Sequence, residues 1–85
     1  MGATIIDVRP TSEFTGGKIR HAFNMPAETL PEHMSRIRHM RRPIIVCGDT
    51  AEQAAVSIKM LEKAGVNDIL NGGNWEQLLS IIRAL

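Results

Sequence analysis

The stretch that most limits what this chain can fold into is Pro43-Ile44-Ile45-Val46-Cys47-Gly48-Asp49-Thr50. A continuous apolar run, restarted by a proline and ended by a Gly-Asp turn, is the pattern of a central parallel strand covered on both faces. Thr50 with Gln53 three residues on fits a capping box, and Ala51, Ala54, Ala55, Ile58 and Leu61 follow at helical spacing, so a helix begins directly after the turn. Gly65, after Lys59, Lys63 and Ala64, is the expected stop, and Ile69-Leu70 gives the next strand. Strand, short loop, helix, strand is a crossover unit, which implies parallel pairing with a right-handed connection.

The flanking segments extend that unit. Thr4 to Val8 reads as a buried strand closed by Pro10, followed by a helical turn at Thr11 to Phe14, a break at Gly16-Gly17 and a small strand at Ala22 to Asn24 ended by Pro26. Pro31 suits a first helical position, and Leu30, Met34, Ile37 and Met40 predict an amphipathic helix from Pro31 to about Met40. Arg36, Arg38, His39, Arg41 and Arg42 gather at its end, where cations complement the helix dipole; steering of an anion is the other role open to them. Asn71-Gly72-Gly73-Asn74 reads as a turn, with Asn74 capping a last helix that carries Trp75, Leu78, Leu79, Ile82 and Leu85 on one side. The expected architecture is α/β: a small central parallel sheet flanked by helices on both faces, in a single domain over residues 1–85.

Charge and cysteine usage exclude several functions. Ten basic and nine acidic side chains leave a net +1, too little to argue for nucleic-acid or membrane binding. No apolar stretch approaches the roughly 20 residues of a membrane span, and no basic leader or hydrophobic targeting segment opens the chain. The cytoplasm is therefore favoured, with the periplasm open if a signal peptide has been removed. A monomer is the expectation. The lone cysteine, Cys47, excludes an internal disulfide and a cysteine-based zinc site, and no metal or other cofactor is expected.

Any cysteine chemistry falls to Cys47. Ligands of open parallel α/β folds gather beyond the carboxyl ends of the strands, where Cys47 is expected with a helix starting just after it. The backbone amides of Gly48, Asp49, Thr50, Ala51, Glu52 and Gln53 would then bind substrate and stabilise a thiolate, making the thiol more acidic than the free reference of about 8.5. The plain alternative is a small buried hydrophobe at the end of an apolar run. A cysteine phosphatase would need an arginine after five intervening residues, where Gln53 stands. Neither His21, His33 nor His39 is placed by sequence beside Cys47, so a Cys-His dyad has no support.

The segment Asp7-Val8-Arg9, Glu13-Phe14, Gly17-Lys18-Ile19, Ala22 and Asn24-Met25-Pro26 resembles the N-terminal signature of the rhodanese family. Pro43 to Cys47 is similar to the family's strand leading into its active-site cysteine, and Leu61 to Gly65 with Gly72-Gly73 and Trp75 resembles its closing segment. The short length is similar to small stand-alone rhodaneses of the phage-shock type. The resemblance implies a sulfurtransferase without a cofactor, in which Cys47 takes the outer sulfur of thiosulfate or of another persulfide and passes it to cyanide, a small thiol or a protein thiol. It also implies that Asp7, Arg9 and Glu13 hold structure.

Three departures bear on activity. Lys18 replaces the usual His, and His21 a small residue. The loop Gly48 to Gln53 has no basic group and carries Asp49 and Glu52, which should repel dianionic thiosulfate. The count from Cys47 to Leu61 also runs one residue longer than usual. Weak thiosulfate activity is therefore expected, and a non-catalytic rhodanese-like binding or sulfur-relay module is the alternative.

Overall fold

In a computed structural model, which describes residues 2–85, four strands form one parallel sheet in the order β2-β1-β3-β4: β1 (Thr4–Asp7), β2 (Phe23–Asn24), β3 (Ile44–Gly48) and β4 (Ile69–Asn74). Met1 lies outside the described residues. Four α-helices connect or follow the strands: α1 (Thr11–Thr15), α2 (Met34–Arg38), α3 (Ala51–Lys63) and α4 (Trp75–Ala84). None of the described helices is long and apolar enough to cross a membrane.

Strand periodicity divides the core in two. Ile6, Val8, Ile44 and Val46 point to one face and pack with Met25, Leu30, Ile37, Ala54, Leu61 and Val66 from the helical segments there. Ile5, Ile45 and Cys47 point to the other, where Ile19, Ala22, Trp75, Leu78, Leu79 and Ile82 cover them. Helices on both faces are as the apolar run of β3 requires: four of its five residues are buried, and Ile45 is partly exposed.

Two expectations need correction. The predicted helix from Pro31 to Met40 is instead a 3-10 helix over Ala27–His33 with Pro31 inside it, followed by the short α2. Pro31 has no N–H to give and its ring would strike the carbonyl four residues back, so an α-helix cannot run through it from Ala27. Leu30 and Ile37 are nonetheless fully buried, as their spacing implied.

The second correction concerns Asn71 to Asn74, which is not a turn. β4 continues through it, and its pairing with β3 slips: Val46 faces Asn71 but Cys47 faces Gly73. The extra residue, Gly72, makes a bulge that only small, permissive residues can form. A Cβ on Gly72 would lie 2.8 Å from Ile45 and 2.9 Å from Leu78 side-chain carbons, and Gly73 has a φ of +73°.

Two arginines of the cluster, Arg38 and Arg42, take structural roles. Arg42 Nη1 donates to the carbonyls of Ile37 and Met40 at the end of α2, and Arg38 Nη2 donates to Ala64 O past the end of α3. Arg41 and Arg42 precede β3 at its amino end, about 15 Å of strand away from the loop after it. They do not face that loop.

Two substitutions test this packing. Gly72→Ala should destabilise the fold by about 1–3 kcal/mol in urea unfolding, because its methyl meets two core side chains at once. Ser57→Ala should stabilise it by about 1 kcal/mol, because Ser57 Oγ is buried on α3 with no hydrogen-bond partner.

Candidate functional site

The carboxyl ends of the strands are organised around a buried ion pair. Asp7 ends β1 with no exposure, and its Oδ1 accepts from the main-chain N–H of Arg9 at 3.0 Å. Arg9 Nε lies 3.1 Å from both carboxylate oxygens, and Arg9 Nη2 donates to Asp7 Oδ2 at 2.8 Å and to Gly17 O at 2.7 Å. The guanidinium also stacks over Trp75, 4.1 Å from the ring centroid, and Nη1 reaches Glu13 O. A buried charge pair is tolerable only when nearly every donor and acceptor is used, as here. The Asp7-Val8-Arg9 spacing thus folds the chain after β1 back onto itself and clamps it to α4.

Glu13 has two separate parts to play. Its carbonyl accepts from Arg9, whereas its exposed carboxyl faces the carboxyl of Asp49. A hydrogen bond that the protonated Glu13 carboxyl donates to Asp49, then desolvation and the Asp49 charge, raise the pKa of Glu13.

Cys47 is not in the loop. It is the fourth residue of β3, fully buried between Ile19 and Leu78 on the α4 face. Its neighbour in register on β1 is Asp7. Burial first, and then the Asp7 charge, push the thiol up to about 12, with Arg9 opposing. The acidified thiolate expected from the loop amides is therefore corrected to a protonated core thiol: the strand points its sulfur away from α3 and into the apolar cluster of Ile19 and Leu78, which disfavours the charged form. Neither the cavity of about 840 Å³ at the amino ends of the strands nor the apolar groove of about 630 Å³ beside Ile5, Ile19 and Ile45 is lined by Cys47 or by any residue from 48 to 53.

The loop itself is closed by its own side chains. Thr50 Oγ1 accepts from Gln53 N at 3.0 Å, which is the cap that the sequence predicts. The reciprocal contact differs from a standard capping box, because Gln53 Oε1 takes the N–H of Asp49 at 2.7 Å. Asn74 Nδ2 donates to Asp49 O and Asn71 Nδ2 to Ala51 O, so β4 ties down the loop carbonyls as well. Of the six loop amides proposed to bind substrate, those of Asp49 and Gln53 are already taken within the chain.

Gly48, the last residue of β3, has the opposite orientation to Cys47. A Cβ placed on it would point towards α3, within 3.2 Å of a Val8 methyl and in direct collision with Gln53 Oε1. Counting to Leu61 from position 48 rather than 47 also removes the extra loop residue. Asn71, Asn74 and Trp75 are site-building residues that sequence reasoning missed in this role; the only signal was an asparagine at each end of a glycine pair. Among the described residues, no group of three or more His, Cys, Asp or Glu could hold a metal ion.

The comparisons with known proteins agree with this geometry. The family model of the rhodanese-like domain matches residues 1–76, and the chain belongs to that family. A rhodanese-like domain from Anabaena sp. is similar over 96% of this chain and 62% of its own, with 32% identity and a TM-score of 0.78. A rhodanese-like domain protein from Staphylococcus aureus is 21% identical with a TM-score of 0.79, covering 93% of this chain and 76% of its own. A rhodanese-related protein from Thermoplasma volcanium is 22% identical with a TM-score of 0.77, covering 94% and 79%; these last two likenesses establish the fold alone. A search of curated proteins found no match.

The burial of Cys47 has a pH signature. Its folded pKa of about 12 lies above the ordinary 9.0, so the protonated thiol contributes stability that is complete below the unfolded value and is lost as pH rises from 9 towards 12. Alkylation by iodoacetamide should be slow at pH 8 in the native protein and rapid in 6 M guanidinium, a denaturant level at the edge of what hyperstable domains (beyond about 5 M) survive. Equal rates in the two conditions would show that the sulfur is accessible.

Proposed function

We propose that this rhodanese-like domain acts as a binding module in which Cys47 is a core residue, and not as a thiosulfate sulfurtransferase. The observation that carries the reading is the placement of the only sulfur nucleophile inside the sheet, on the face away from the α3 amino terminus. A thiol with its pKa near 12 is almost wholly protonated at neutral pH, and the thiolate is the form that attacks sulfur.

The chemistry around the loop suggests what the module would take. Glu13, Asp49 and Glu52 are exposed at the carboxyl end of the sheet, and Glu76 follows in the first turn of α4. Arg9, the cation set among them, is buried against Asp7 and Trp75. Such an edge disfavours thiosulfate and favours a basic segment of a protein partner.

Sulfur transfer through Cys47 to a small thiol or a protein thiol is the second reading, and membership of the family favours it. It requires α4 and Ile19 to move off the sheet before a donor can reach the sulfur. Intact mass measured after incubation with thiosulfate, and separately with a small-molecule persulfide, decides between them. No gain of sulfur is expected; a one-sulfur adduct that Cys47→Ser abolishes would establish the transferase instead.

A further inference from the structure

We infer that position 48, and not 47, is where this fold aims a side chain into the loop ahead of α3, and that the Gln53 carboxamide fills the space that the absent side chain of Gly48 leaves. This rests on the binding-module reading and explains it structurally. The chain keeps the loop but closes it from within.

The argument is geometric. Side chains alternate along β3, so Val46 and position 48 share the α3 face while Cys47 takes the other. Gly48 is fully placed in the strand, paired with Asn74, and it does not have the positive φ that would demand glycine. The contact that excludes a side chain there is with Gln53, whose Oε1 atom occupies the place of a Cβ; a Val8 methyl 3.2 Å away is close but would have to give only slightly. That oxygen holds the Asp49 N–H at 2.7 Å, and the Gln53 main-chain N–H is held by Thr50. A carboxamide is the far end of a flexible side chain, so removing it opens the space without moving backbone. A side chain at 48 would then meet the freed Asp49 amide at the start of a 13-residue helix, a setting that lowers the pKa of a thiol.

The test moves the thiol by one residue. In a Cys47→Ser background, Gly48→Cys and Gly48→Cys with Gln53→Ala are compared for sulfur uptake from thiosulfate by intact mass, and for alkylation rate against pH. In the reaction, the introduced thiol loses its proton to solvent and its thiolate attacks the outer sulfur of thiosulfate. A new S–S bond forms, the old one breaks, and sulfite leaves with the electron pair. The variant with Gln53→Ala should gain one sulfur at least about tenfold faster than the one that keeps Gln53, and its alkylation should titrate below the free-thiol value of about 8.5. Equal uptake with and without Gln53 would refute the filling role of the carboxamide. No uptake and no alkylation below pH 8.5 in a variant with native circular dichroism would refute the assignment of position 48.

A second measurement does not depend on the cysteine variants. Gln53→Ala alone should speed hydrogen exchange of the Asp49 amide at least about tenfold while leaving β3 amides protected; an unchanged Asp49 rate would refute the closure. Sulfur on wild-type Cys47 would refute both this inference and the binding-module reading. An inert wild type with an inert, folded Gly48→Cys, Gln53→Ala variant would refute this inference alone.

Discussion

The two-residue period of β3 governs what this protein can do. Because the strand is buried on both faces, each of its side chains must commit to one core or the other, and a single-residue difference in position reverses the choice. Cys47 falls on the α4 face among Ile19 and Leu78, and Gly48 on the face of α3 and Val8. The chemistry expected of a strand-loop-helix junction belongs to the second face. The thiol has been delivered to the first.

Around that strand the chain spends its buried polar groups on structure. Asp7 and Arg9 neutralise each other and, through Gly17, Glu13 and Trp75, lock the segment after β1 against the start of α4. A charge pair this well satisfied costs a great deal to break, even if its net contribution over an apolar replacement is small. It specifies the geometry of the strand ends. Asn24, Asn71 and Asn74 extend the same logic, each bonding main-chain groups of a neighbouring element. The rim they build is tied to its neighbours by these bonds, it exposes carboxylates, and Arg9, its buried cation, is already paired with Asp7.

Much of this was legible in the sequence because it depends on local patterns. The Ile44 to Val46 run, the Thr50 cap, Asn74 as the cap of α4, and the periodic Leu and Ile positions all act within a few residues, so they could be read directly. Proline at 31 misled because the same ring that suits a helix start also permits a 3-10 segment, and the burial of Leu30 and Ile37 fits both. The Gly72-Gly73 pair misled for a similar reason: glycines serve a bulge as readily as a turn, and the register of β4 against β3 decided which.

By itself the sequence determined the strand-loop-helix order, the parallel sheet, the family signature and the presence of one cysteine, since each follows from residue type at short spacing. Only the tertiary structure decided which way that cysteine points and what fills the loop beside it. Both depend on where β3 meets β1, β4 and α3 in space, and a shift of one position along a strand leaves composition and periodicity nearly unchanged while moving a side chain to the opposite side of the sheet.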